Sequence, residues 1–242
     1  MRGQIVGFVG TLSLLGMLTT GCGNGTTKTE RIAKAHDSTI SPMAFVMVED
    51  NIKHDTLLIQ TTFDLGDGTY VMVAGHVQET FEGIRLYRYR LLPDSAAEVL
   101  AYSTPAYDSW TMLPTFFRLP NASAVHMVLA NFGERESWGQ KLLLMDDEFT
   151  DLGFLDIALP ERLLENDTLR LKRSGIGPFA RMAQHGDTSV FTFSCDSVFL
   201  YDDLSGHMDQ VLPTQSVRYT FHRDTGLELW LNGQRRAVRK PV

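Results

Sequence analysis

Cysteine occurs only at positions 22 and 195, which excludes a disulfide-built scaffold, since such scaffolds need several pairs at recurring spacings. Basic residues are outnumbered: 22 Lys and Arg against 29 Asp and Glu leave a formal charge of -7. Phosphate backbones are held by basic surfaces, so nucleic acid is not an expected partner. Long apolar runs are missing as well. The best candidate, the apolar-rich stretch Ile5 to Leu18, is shorter than the ~20 residues a membrane-spanning helix needs. There is no GxSxG elbow and no SxxK pair, and the seven His residues, at 36, 54, 76, 126, 185, 207 and 222, never pair at zinc-helix spacing. No cofactor and no catalytic residue are therefore expected from local motifs.

Against these absences stands a hydrophobic content of 43% over 242 residues, enough for a sizeable core. From Pro42 onward the chain reads as short apolar runs separated by turn residues. The clearest passage is Trp138 to Glu161: an apolar run Lys141 to Met145, a polar break at Asp146, Asp147 and Glu148, and a second run Leu152 to Leu159 closed by Pro160. Runs of this length around an acidic break suit two strands joined by a turn. Earlier runs are Thr56 to Asp64, Thr69 to His76, Ile84 to Leu92 and Glu98 to Tyr102, followed by Thr111 to Leu119 and Ala124 to Ala130. A weaker set is Phe179 to Gln184, Ser189 to Cys195, Val198 to Tyr201 and Gln210 to Leu212.

The order recurs. With Tyr87, Met145 and Tyr201 as equivalent strand ends, the spacings are 58 and 56 residues. This predicts an all-β domain over 39–242, with repeats near 56–104, 111–160 and 179–215. The arrangement resembles the four-stranded antiparallel blades of β-propellers. Three copies are fewer than a ring usually holds, so Met43 to Val48 together with Val217 to His222 and Leu227 to Leu231 are expected to supply a fourth sheet from both termini. The alternative architecture is a large antiparallel β-sandwich. Pro160 to Arg173 is expected to form a short helix or a polar connector, and the basic end Arg235 to Lys240 a solvated tail, with contact to anionic lipid or lipopolysaccharide as its functional reading.

The N-terminus carries an address. Residues 1–21 have one positive charge, Arg2, an apolar-rich core and the small residues Thr19, Thr20 and Gly21 before Cys22, the plan of an export signal. Leu18-Thr19-Thr20-Gly21-Cys22 resembles the lipobox of bacterial lipoproteins, although the usual Leu three residues before the Cys is Thr19 here. The resemblance implies cleavage before Cys22, acylation of Cys22, and anchorage by N-terminal lipid. Gly23 rather than Asp after the Cys implies the outer membrane. Residues 22–38 lack apolar periodicity and read as a flexible tether. Acylation of Cys22 would leave Cys195 without a partner, a structural thiol beside Phe191 and Phe193. The tripeptides Asp37-Ser38-Thr39, Asp55-Thr56-Leu57, Asp94-Ser95-Ala96, Asp167-Thr168-Leu169 and Asp196-Ser197-Val198 resemble the O-glycosylation signal of exported Bacteroidota proteins; Asp-Ser and Asp-Thr also make good turns.

Two acidic groups invite a calcium reading. Asp64-Leu65-Gly66-Asp67-Gly68 fails the EF-hand loop pattern and suits a Gly/Asp turn. Asp146, Asp147 and Asp151 are the remaining metal candidates, with turn chemistry as the competing account. Tyr102, Tyr107, Trp110, Phe116, Phe117 and Trp138 are either a sugar-stacking platform or core aromatics. The expected function is that of an outer-membrane lipoprotein, periplasmic or surface-facing, binding a glycan, a peptide or an envelope protein. The alternative is a glycan-active hydrolase using paired carboxylates, which leave no local signature.

Overall fold

A computed structural model describes residues 39–43, 57–76, 83–93, 96–105, 109, 111–120, 122–134, 137–165, 167–201 and 209–240, all within one unit, Ala35–Val242. The fold is all-β and built of four-stranded antiparallel units. After the short β1 (Thr39–Ile40), the strands β2 (Leu57–Asp64), β3 (Tyr70–His76), β4 (Arg85–Leu91) and β5 (Ala97–Tyr102) form one meander. A second meander is β6 (Thr111–Leu119), β7 (Ala122–Glu134), β8 (Ser137–Met145) and β9 (Phe149–Phe154).

The β6–β9 meander is buried on both faces. The period-two alternation of strands assigns its side chains: Met127, Leu129, Leu142 and Leu144 enter one core, while Val128, Ala130, Leu143 and Met145 enter another. The second core is completed by Val71, Val73 and Leu86 of the first meander. This explains the unbroken apolar run at Leu142 to Met145, since a strand covered on both sides has no polar face. The acidic break is the β8–β9 turn as expected, where Asp146 Oδ1 accepts from the Glu148 amide at 3.2 Å.

Past β9 the pairing departs from the sequence expectation. Leu152 to Leu159 is two strands, β9 and β10 (Ile157–Glu165), broken at Leu155 and Asp156. Pro160 does not end the second: β10 continues into a hairpin with β11 (Thr168–Ser174), where a helix or connector was expected. Pro160 lies beyond Ala158, the last residue paired to β14 (Ser197–Leu200), so a residue without an N–H is tolerated there. Leu164, Leu169 and Leu171 of the hairpin stay exposed.

The stretch 179–215 is likewise divided. Its first two strands, β12 (Ala180–His185) and β13 (Thr188–Phe193), join a sheet with β16 (Val217–His222) and β17 (Gly226–Leu231). Its other two, β14 and β15 (Gln210–Pro213), pair with each other and β14 pairs with β10, giving the order β15-β14-β10-β11. Tyr201 therefore does not occupy the place of Tyr87 or Met145. Both termini do share a sheet, in the order β1-β12-β13-β16-β17-β18, with β18 at Gln234–Ala237. The described N-terminal contribution is Thr39–Ile40; of the expected Met43 to Val48, residues 44–48 lie outside the described residues. The inner face of this sheet, including Met182, Phe191, Tyr219, Leu227 and Leu229, closes the first core.

The basic end is not a free tail. Asn232 (φ 50°) and Gly233 (φ 79°) turn β17 into β18, the Asn-Gly hairpin turn whose two positive φ angles match strand twist. Val238 then packs on the core.

Candidate functional site

Two clefts share Lys240 at their edges. One, of about 410 Å³, is lined by Phe154, Asp156, Tyr201, Tyr219, Val238 and Arg239, with aliphatic walls from Leu200 and Leu229. The other, of about 470 Å³, is bordered by Asp146, Thr150, Asp151, Arg223 and Lys240 among others.

The first cleft is built on the break between β9 and β10. Leu155 and Ile157 are both fully buried, and the Leu155 amide donates to the Gln140 backbone carbonyl at 3.0 Å. The Ile157 amide returns to Leu155 O at 2.8 Å, a three-residue turn of the γ kind centred on Asp156. The buried Gln140 side chain, oriented as its neighbours require, donates to Leu155 O at 3.1 Å and to Ile157 O. With both flanking residues held in the core, Asp156 is turned outward. Its own carbonyl accepts from the Tyr201 amide at 3.0 Å, which draws the end of β14 to the same place.

Arg239 arrives from the C-terminal side. Its carbonyl accepts from the Phe154 amide at 3.0 Å, its guanidinium carbon stands 4.0 Å from the Phe154 ring centroid, and Nη2 and Nε donate to Asp156 Oδ1 at 2.6 and 3.1 Å. Gly153 makes this docking fit: a Cβ there would lie 3.1 Å from Arg239 O, and its φ of 130° is one that L side chains rarely adopt. The Arg239–Asp156 pair is 25% and 21% exposed, reachable from solvent at the cleft.

Tyr219 alternates inward on β16 with Val217 and Phe221 and is only 1% exposed. Its phenolic oxygen is sealed from solvent and makes no well-formed hydrogen bond to any described residue, the Asp156 backbone approaching it only as a weak partner. Burial pushes the phenol well above its ordinary value; the Asp156 carboxylate and Tyr201 add to the rise, and the Asp156 backbone and Arg239 oppose it more weakly. The group is thus a neutral hydroxyl beside an ion pair. Opposite, Arg173 sits 4.2 Å over the Tyr201 ring.

Among the described residues Asp156 is the one carboxylate lining this cleft. The second cleft does bring together two of the acidic residues singled out from sequence, Asp146 and Asp151, but not Asp147. Asp151 Oδ2 lies 2.5 Å from Lys141 Nζ and accepts from Thr104 Oγ1 at 2.8 Å; Asp146 is engaged in the β8–β9 turn. Among the described residues no group of three or more His, Cys, Asp or Glu is arranged to hold a metal ion. Asp64 and Asp67 serve their turn, accepting from the amides of Gly66 at 2.7 Å and Thr69 at 2.9 Å.

Of the aromatic candidates, Phe116 and Phe117 are core residues, Tyr102 is exposed beside Tyr87 and Arg85, and Trp138 is half-buried; Tyr107 and Trp110 lie outside the described residues. Cys195 is half-buried, and burial pushes its thiol up, with Asp196 adding to the rise. Cys22 lies outside the described residues. Sequence reasoning gave no site role to Asp156 or Tyr219 and singled out Arg239 only as part of the basic end Arg235 to Lys240. The usable signal was Asn232-Gly233 after the alternating Leu227, Leu229 and Leu231, which marks a hairpin and predicts that the basic end folds back. Comparison with known protein families, with curated proteins and with solved structures finds no match.

Proposed function

We propose that this protein is an outer-membrane-anchored lipoprotein whose β-rich domain is a binding module for a glycan, a peptide or an envelope protein. The observation that carries the binding half is the 410 Å³ cleft at which Asp156 and Arg239 meet the Tyr201 ring and apolar walls. Its size falls within the roughly 300–1,000 Å³ of small-ligand sites, and a few convergent polar groups on apolar walls are their usual chemistry. The lipobox-like Leu18 to Cys22 supports the address. Hydrolysis by paired carboxylates has less behind it, because among the described residues the cleft offers one carboxylate, which is held by Arg239, while Asp151 in the neighbouring cleft is held by Lys141.

The two halves have separate tests. Cys22→Ala is expected to abolish incorporation of labelled palmitate and to move the protein from the membrane to the soluble fraction; retention of both label and membrane association would refute the address. For binding, the melting temperature of the wild-type domain is expected to rise with at least one fraction of envelope components, and the rise to shrink in Arg239→Gln. No shift with any fraction, or equal shifts in both proteins, would refute the binding reading.

A further inference from the structure

We propose that the outer face of the sheet β1-β12-β13-β16-β17-β18 carries a second binding surface, a row of arginines that takes a linear acidic polysaccharide with a carboxylate on every second sugar. Arg181 is paired with Thr192, and Arg218 with Trp230, which in turn is paired with Arg235. The Phe191 and Tyr219 pair between β13 and β16 brings Thr192, one residue further on, beside Arg218. One line of residues thus crosses five strands. Its members alternate with the buried Met182, Phe191, Tyr219 and Leu229, so they point away from the core and from the cleft that Tyr219 and Leu229 line.

In a chain with a formal charge of -7, this row holds three arginines and no acid. Glu228, in the next row, is held by Arg235 at 2.6 Å. Arg181 and Arg218 are left without a carboxylate partner among the described residues, yet both are fixed. Arg181 Nη1 donates to the carbonyls of Pro178 and Ala180 at 3.1 and 2.8 Å. Arg218 lies 5.1 Å over the Trp230 ring, and the Trp230 indole donates to Thr220 Oγ1 at 3.0 Å. Two strand spacings put the backbones of Arg181 and Arg218 about 10 Å apart. Guanidinium forks match carboxylates in shape and charge, and forks already held at a set distance lose less freedom on binding.

What this face lacks narrows the partner further. Among the described residues no exposed large hydrophobic side chain lies on β12, β13, β16, β17 or β18. A bilayer would find no apolar anchor there, and two or three arginines alone hold a membrane weakly. A peptide would likewise find no apolar anchor, and same-face carboxylates of an extended peptide recur every ~7 Å, short of the arginine spacing. In a polysaccharide with an acid on alternate sugars the carboxylates recur once per disaccharide, close to that spacing. Its remaining groups are mostly hydroxyls, which suit the exposed Thr192.

The experiment is calorimetric titration of the full folded chain with hexasaccharides carrying glucuronate on alternate sugars, with their neutral methyl esters, with poly-glutamate and with phosphatidylglycerol vesicles. The acidic hexasaccharide is expected to bind and its ester not to, and binding is expected to vanish in about 1 M salt, where charges are screened beyond ~3 Å. Arg181→Gln and Arg218→Gln are each expected to weaken it about tenfold, the worth of one charge-assisted hydrogen bond, with near-ultraviolet circular dichroism unchanged; should Arg218→Gln unfold, Arg181→Gln carries the test. Arg236→Gln removes the same charge at the register of Leu229, off this row, and is expected to leave binding unchanged, as is Arg239→Gln in the cleft. No binding of the acidic hexasaccharide, equal binding of its ester, binding that survives the salt, tighter binding of poly-glutamate or vesicles, or equal weakening in Arg236→Gln would overturn the proposal. Weakening in Arg239→Gln but not in Arg181→Gln would overturn it too, by placing the ligand in the cleft. The cleft reading stands or falls separately, on the Arg239-dependent rise in melting temperature.

Discussion

Lys141 and Asp151 face each other from β8 and β9 with side chains only 7% and 9% exposed, and Lys141 Nζ also lies 5.2 Å from the Phe154 ring centroid. Removing one member of such a pair leaves a buried charge, whereas replacing both by apolar groups is often harmless. Lys141→Met is accordingly expected to lower unfolding free energy by about 3–5 kcal/mol, and Lys141→Met with Asp151→Leu to recover most of it. Chemical denaturation of the two variants checks this; a double variant as unstable as the single one would count against it. Tyr219 gives a second prediction at this scale. Its folded-state value is raised, so its contribution is fully present below the ordinary value of 10.0 and is lost as pH rises beyond it toward the folded-state value. Cys195, also raised, acts in the same sense from an ordinary value of 9.0. Stability should therefore decline from about pH 9 upward, and Tyr219→Phe should flatten the upper part of that decline in melts taken across pH 8 to 11. An identical slope in the variant would show that Tyr219 is not responsible.

At the scale of elements, most strands were legible because their apolar spacing is local information. Thr111 to Leu119 and Val217 to His222 coincide with β6 and β16. Which strand pairs with which was not legible beyond β9, because pairing depends on partners far away in sequence: Ile157 meets Leu200, and Phe191 meets Tyr219. The cleft was hidden for the same reason. Asp156 and Arg239 are 83 residues apart, and the kink that turns Asp156 outward depends on Gln140, whose polarity gives no hint of its full burial. Asp146 and Asp151 were visible as an acidic cluster, yet five residues of separation put one in a turn and the other on a strand beside Lys141. The docked C-terminal segment can be tested at Gly153. An alanine there meets Arg239 O and Val238 at 3.1 and 3.4 Å in an unfavourable backbone conformation, a strain of order 1–3 kcal/mol. Gly153→Ala should therefore speed amide exchange and proteolysis at 237–240 ahead of global unfolding; unchanged protection of that segment would contradict the docking account.

Over the whole molecule, one meander serves as a shared layer between two cores, with Leu142 and Leu144 facing one and Leu143 and Met145 the other. Such a layer holds β9 fixed on β8 and so holds the break at Asp156 in place, which is how a packing arrangement becomes a preorganised cleft. The proposed lipid at Cys22 and the residues 22–38 would place that cleft within reach of envelope material. The most direct measurement puts a photo-crosslinking benzoylphenylalanine at Ala237, which is exposed and lines the cleft, in the full-length protein within its native envelope. A discrete adduct with glycan, peptide or envelope protein, lost when Arg239→Gln is added, is the result predicted. No adduct, or an adduct indifferent to Arg239, would contradict the claim that this cleft is where the protein binds.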